Sequence, residues 1–282
     1  MSGPALAHAA ARLVAPDFTP GSVWLVGAGP GDPGLLTLHV AHALASADVV
    51  LHDALVPTEI LALVATQHRI AVGKRVGGTR TPQLRINARL VGLAHQGLRV
   101  LRLKGGDPLV FGRGVEEAMA LAAAGVPFRI VPGVSAGIGG TASAGIPLTH
   151  RNLVRSVAFA TGHDSRGDLP EGLDFAALSR GADVLVFYMG LRQAGPIAAR
   201  LIAAGRSPDE AVAFVSDATT AHQRVRLASL RLAGVIASGL PRHAPTLIVV
   251  GPVLALHEVL TPLQQAAPMT VAMMPEPSLA TA

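Results

Sequence analysis

Five short β-branched runs, separated by amphipathic stretches, constrain the first half of this chain more than any other feature. SVWLVG at 22–27, DVVLHD at 48–53, RIAVGK at 69–74, RVLRLKGGD at 99–107 and FRIVPG at 128–133 are strand-sized. The segments 33–46, 57–65, 82–96 and 113–124 between them carry helical periodicity. Strands joined by helix-length crossovers return parallel to one another, so this half predicts a mainly parallel sheet covered by helices. Aromatic residues make up only 3% of a chain that is 50% hydrophobic, so the core must be built from Ala, Val, Leu and Ile, as suits helices on buried parallel strands.

After a glycine- and alanine-rich segment at 133–145, strand-like runs return at SVAFATGH, DVLVFYMG, EAVAFVSD, RVRLASL and TLIVVG, which predict a second α/β domain with a mixed sheet. The 282 residues suffice for two modest cores. The boundary is expected near Pro147, giving a loose arm over 1–20, domains over 21–146 and 147–262, and a proline-bearing tail over 263–282.

Several chemistries are disfavoured. The chain has no cysteine, which removes disulfides, thiolate metal sites and a thiol nucleophile. Its net charge of +5 is spread over isolated arginines without a basic run, so a polyanionic small molecule suits it better than nucleic acid. No apolar stretch is long enough for a transmembrane helix, and the first 20 residues do not read as a secretion signal, so a cytoplasmic protein without a membrane partner is expected. His39 and His42 share a helix face with no third ligand nearby in sequence, so no metal is expected there.

The loop VGAGPGDPGLL at 26–36 follows the first run, where a dinucleotide fold would place G-x-G-x-x-G. Gly27 and Gly29 fit that pattern, but Asp32 stands at the third glycine, and Pro30 and Pro33 each remove a backbone N–H. An added carboxylate and fewer donors make a poor phosphate cradle, and the loop suits an uncharged or cationic ligand instead. Asp53 and Lys74 follow the second and third runs, so a parallel sheet carries both toward one rim, where they can act as acid and base or serve as a helix cap and a solvated charge.

GAGPGDPGLLTL (27–38), HDALV (52–56), GKR (73–75), RLKGGDPLVFGRGVEEA (102–118), PGVSAG (132–137), GIPLTHR (145–151) and FYMG (187–190) together resemble the uroporphyrinogen-III C-methyltransferase family of tetrapyrrole methylases. The resemblance runs in order from about residue 21 to 260. It implies a two-domain fold with S-adenosylmethionine in the cleft between the domains, no metal, a homodimer, and methylation of uroporphyrinogen III at positions 2 and 7 to give precorrin-2. It also implies cofactor contacts at Pro30, Gly105, Gly106, Asp107, Val110, Ser135, Ala136, Met189 and Ala218, with Asp53 as proton acceptor and Lys74 as proton donor. Val110 stands where the family has isoleucine, and Ala218 where it often has glycine.

Arg113, Glu116 and Arg151 lie in the GRGVEE and THR motifs and are candidates for the substrate carboxylates, which guanidinium groups pair with bidentately. The product can feed cobalamin, sirohaem or haem d1. With about 20 residues before the first run, no dehydrogenase/chelatase domain is expected there, which leans toward cobalamin. Three rival readings are a serine hydrolase built on GVSAG at 133–137 with Asp164 and His222 or His243, an NAD-dependent oxidoreductase using Gly27 and Gly29, and a tetrapyrrole- or nucleotide-binding module without catalysis.

Overall fold

Alternation along β1 (Val23–Gly27) decides how the first sheet is covered. Trp24 and Val26 face one way, onto Val40, Ala43 and Leu44 of α1 (Leu38–Ser46) and Ile60 of α2 (Thr58–Ala62). Val23 and Leu25 face the other, onto Ile86, Leu90 and Ala94 of α3 (Gln83–His95) and Leu121 of α4 (Gly114–Ala123). These helix residues recur at three- and four-residue spacing, one apolar stripe per helix. The computed structural model describes residues 16–73, 81–164 and 166–265.

With β2 (Val49–His52), β3 (Arg69–Ala71), β4 (Val100–Lys104) and β5 (Phe128–Val131), β1 forms a five-stranded sheet in the order β3-β2-β4-β1-β5. Every pairing in it is parallel, as the alternation predicts. The chain leaves β1 toward β2 and leaves β4 toward β5, so the connections from these two neighbours run in opposite directions. Such a divergence opens a crevice beyond the carboxyl ends of the strands, where ligands of open α/β sheets bind.

The second sheet contains β6 (Val157–Thr161), β7 (Val184–Tyr188), β8 (Ala211–Ser216), β9 (Arg224–Ser229) and β10 (Thr246–Val250), in the order β6-β7-β10-β8-β9. Only β6 and β7 pair parallel, so the sheet is mixed, as expected. Leu185, Phe187, Phe214 and Ile248 face Ile197 and Leu201 of α7 (Ala194–Ala203) and Ala233 and Ala237 of α8 (Ala233–Ser238). Phe175 of α6 (Phe175–Gly181) packs on this same face. Val186, Val215 and Val249 face the opposite cluster, with Ile146, Val253 and Leu254. Helix α5 (Ala136–Ser143) joins the two sheets in sequence, and α9 (His257–Gln265) follows β10.

Local details differ from the sequence expectations for identifiable reasons. The 33–46 segment is interrupted: Asp32 accepts from the Gly34 N–H and caps a short 3₁₀ turn at Pro33–Leu35, and Thr37 then caps α1. Phe18 lies inside the stretch expected as a loose arm, yet it is buried and stacks on Trp24 at 4.6 Å. At the other end α9 continues to Gln265, past the expected start of the tail at 263.

Candidate functional site

Three strand exits of the first sheet meet so closely that only glycine fits between them. A Cβ on Gly27 would stand 2.5 Å from the Gly106 carbonyl oxygen and 2.6 Å from the Gly133 nitrogen. Gly29 and Gly106 form an antiparallel bridge at the β1/β4 crevice, with Gly106 in the left-handed region at φ 66°. Asp107 fastens the arrangement: its Oδ1 accepts from the Leu109 N–H at 2.8 Å, and its Oδ2 accepts from the Gly133 N–H at 3.2 Å. Its carboxylate is thus a clamp between the β4 and β5 exits rather than the start of a helix.

The second sheet closes on these loops through Tyr188. Its hydroxyl accepts from the Gly137 N–H at 2.7 Å and shares a 2.7 Å hydrogen bond with Ser135 Oγ. Phe111 lies against its ring at 4.8 Å and Phe159 at 6.1 Å. Burial pushes the Tyr188 phenol above its usual range, against the pull of the Ser135 and Gly137 hydrogen bonds. On the other side, the Asp32 N–H donates to Thr219 Oγ1 at 3.0 Å, and Gly31 sits against the Ala218 carbonyl and Thr219. Ala218 is itself buried against Gly140 of α5. The loops after β1, β4, β5, β7 and β8 therefore converge, and they carry Pro30, Gly105, Gly106, Asp107, Val110, Ser135, Met189 and Ala218, with Ala136 opening α5 beside Ser135.

These loops suit a phosphate-free ligand. They hold three carboxylates, Asp32, Asp107 and Asp217, against two arginines, the exposed Arg192 and Arg113, the latter engaged by Glu116. Val110, Phe111 and Met189 leave apolar surface exposed for an aromatic base or a thioether, and Met189 is held at a positive φ of 56°. Nothing lies closer than 3.8 Å to where a Gly106 Cβ would be, so the main chain is open to a ligand there. An acidic, apolar rim with exposed backbone matches a sulfonium nucleoside better than a pyrophosphate.

Asp53 leaves the end of β2 and enters a cluster that the sequence reading missed. It pairs with Arg102 Nη2, and Lys104 Nζ lies 3.9 Å from its Oδ2. Behind them Glu117 accepts from Arg102 Nε at 3.0 Å, from Lys104 Nζ at 3.1 Å and from Gln83 Nε2 at 3.0 Å. Burial, and then the neighbouring Arg102 charge, push the Lys104 ammonium below the usual lysine range. Asp53 does not cap α2, whose N-cap is Pro57. Lys74 lies outside the described residues, but Gly73 packs directly against Ala54, beside Asp53.

The signal for the cluster was present in the pattern. Arg102 and Lys104 are two apart on a central strand, hence on one face, and both faces of that sheet are covered. Two cations there need buried carboxylates. Glu117 shares the inward stripe of α4 with Gly114, Ala118 and Leu121, whereas the neighbouring Glu116 points outward.

Arg113 makes a bidentate pair with Glu116, at 2.8 Å through Nε and 2.7 Å through Nη2, and both are exposed. Arg151 is exposed on the turn after His150 and makes no such pair. The hydrolase reading fails on geometry: Ser135 Oγ bonds Tyr188, Asp164 is taken up by Arg166 and the Asp168 N–H, and His222 and His243 are exposed. Among the described residues no three His, Cys, Asp or Glu side chains are grouped to hold a metal ion, and no helix is long and apolar enough to cross a membrane.

A profile of the tetrapyrrole (corrin/porphyrin) methylases matches residues 22–233. The chain is 53% identical over 248 residues to a uroporphyrinogen-III C-methyltransferase of a Sinorhizobium species, with 87% of this chain and 88% of that one covered. It is 50% identical over 238 residues to the siroheme synthase of Sodalis glossinidius, covering 84% of this chain and 50% of that protein. The chain thus spans about half the length of the siroheme synthases it matches. Among solved structures, uroporphyrin-III C-methyltransferase of Thermus thermophilus, in complex with S-adenyl homocysteine, aligns with a TM-score of 0.73 at 38% identity, over 83% of this chain and 99% of that one.

Proposed function

Because this chain belongs to the tetrapyrrole (corrin/porphyrin) methylases, we propose that it methylates uroporphyrinogen III at positions 2 and 7, giving precorrin-2 with S-adenosylmethionine as donor. The reaction stands at the head of sirohaem and cobalamin synthesis. The observation that carries this reading is the convergence of five strand exits from both sheets on one acidic, phosphate-averse cleft.

S-adenosylmethionine supplies a methyl group already activated by its sulfonium. The protein must then align donor and acceptor and exclude water. Pro30, Gly105, Gly106 and Asp107 border the donor on the first sheet, with Val110, Ser135 and Ala136 beside them and Met189 and Ala218 across from them. Asp107 keeps the β4 and β5 exits at fixed separation, and Tyr188 holds Ser135 in place. Methylation of a pyrrole carbon leaves a cationic ring system, and neutrality returns when a proton departs. Asp53, at the open end of its cluster, accepts that proton, with Lys74 as the donor group. Arg113 exchanges its Glu116 partner for a substrate carboxylate, and Arg151 adds to the same field.

The test is anaerobic incubation with uroporphyrinogen III and methyl-labelled S-adenosylmethionine, with products resolved by mass. Two added methyl groups are expected. Transfer only to a more highly methylated acceptor would reassign the substrate, and binding of S-adenosylhomocysteine without any transfer would leave a binding module. We further take the working unit to be a cytoplasmic homodimer. Exposed Phe128 and Ile130 on the edge strand β5, and Val115 and Met119 on α4, favour a second copy, and light scattering giving a monomer mass would remove that part.

A further inference from the structure

Removing four ionic groups from water is expensive, and a purely structural interior at this place could be apolar at no loss of stability. Arg102 and Lys104 are only 2% exposed and Glu117 is fully buried, whereas Asp53 is 28% exposed, so the cluster opens at Asp53 alone. Each polar edge of Arg102 has a fixed partner: Nε on Glu117, Nη1 on the Leu103 carbonyl and Nη2 on Asp53. Lys104 bridges Glu117 and Asp53. Two cations and two carboxylates balance. His52 completes the surroundings, with Nδ1 3.1 Å from the Asp53 carbonyl oxygen.

We propose that Glu117 is a positioning residue: by holding Arg102 and Lys104 it keeps the Asp53 carboxylate in one orientation, facing the substrate. The inference rests on Asp53 being the proton acceptor. Glu117 does this without touching the reacting atoms. By engaging Arg102 Nε it fixes the guanidinium whose Nη2 pairs with Asp53, and by engaging Lys104 Nζ it holds that ammonium 3.9 Å from Asp53 instead of letting it draw the carboxylate inward. Gln83, itself bonded to Asn87, steadies Glu117 from α3.

The experiment measures kcat, KM for uroporphyrinogen III, S-adenosylhomocysteine affinity and melting temperature on the full chain. The variants are Asp53→Asn, Glu117→Gln, Glu117→Asp and the pair Lys104→Met with Glu117→Gln. Misaligning a base forfeits part of the 10²- to 10⁴-fold it contributes, so Glu117→Gln is expected to lower kcat by about 10- to 100-fold with S-adenosylhomocysteine affinity within about twofold. The paired variant restores charge balance and regains at least about fivefold over the single change. Glu117→Asp keeps the charge but retracts it by a methylene, so kcat falls while the protein stays folded, which maintains the test should Glu117→Gln not fold.

An unchanged kcat in Glu117→Asp or Glu117→Gln overturns the proposal. So does a loss that follows melting temperature and is not recovered in the pair. A fully active Asp53→Asn instead removes the proton-acceptor reading beneath it, whereas an inactive Asp53→Asn beside normal Glu117 variants sinks the positioning role alone.

Discussion

Replacing Tyr188 by phenylalanine isolates the joint between the two sheets. The ring contacts with Phe111 and Phe159 survive, so no cavity opens and the loss is confined to the hydroxyl. That oxygen bonds Ser135 Oγ and the buried Gly137 N–H, each at 2.7 Å. A typical hydrogen bond is worth about 1 kcal/mol net, and a buried donor left without a partner costs about 1–3 kcal/mol. The two effects together predict a destabilisation of about 2–4 kcal/mol. At about 2–4 °C per kcal/mol for a protein near this size, the melting temperature should fall on the order of 10 °C. Because the proposed donor site includes Ser135 and Ala136, the thermal shift on adding S-adenosylhomocysteine should shrink as well. Differential scanning calorimetry with and without that ligand reads both effects. A fall below about 2 °C together with unchanged ligand affinity would refute the view that this hydroxyl joins the sheets.

Tyr188 is the only tyrosine in the chain, so absorbance near 295 nm follows it alone. Burial raises its phenol above 10.0, so the unfolded chain ionises first: this contribution to stability is intact below about pH 10 and lost as pH rises through the higher folded value. A folded-state midpoint at or below 10.0 would contradict the packing. Gly27→Ala drives a Cβ into the Gly106 and Gly133 backbones and should destabilise by about 1–3 kcal/mol, with weakened S-adenosylhomocysteine binding seen by calorimetry. Exchanging both Arg113 and Arg151 for alanine should leave the melting temperature within about 4 °C, since exposed pairs contribute about 0–1 kcal/mol, while raising KM for uroporphyrinogen III and flattening its salt dependence. Unchanged KM and salt dependence would mark them as surface residues.

Much of the architecture could be read from periodicity because periodicity reports burial. Alternation in β1 and the three- and four-residue spacing in α1, α3 and α4 state which side of each element meets a neighbour, and the crossover lengths make the first sheet parallel. The loops of the candidate cleft were legible as motifs, since glycines and prolines at strand ends mark where backbone must bend or approach closely. Which neighbour each element meets is another matter, because it depends on strand order, and local sequence carries no record of that order. Placing β4 between β1 and β2 sets Arg102 and Lys104 beside Asp53, 49 residues away for Arg102, and lays Glu117 behind all three. The same ordering brings Gly27, Gly106 and Gly133 into contact, and the docking of the second sheet puts Tyr188 on Ser135, 53 residues away. Each residue's own face was decided locally, by chain geometry and the exclusion of water from apolar groups. The pairing of charges and hydroxyls came only when distant segments shared one low-dielectric interior, where an unpartnered ion or donor costs too much to remain.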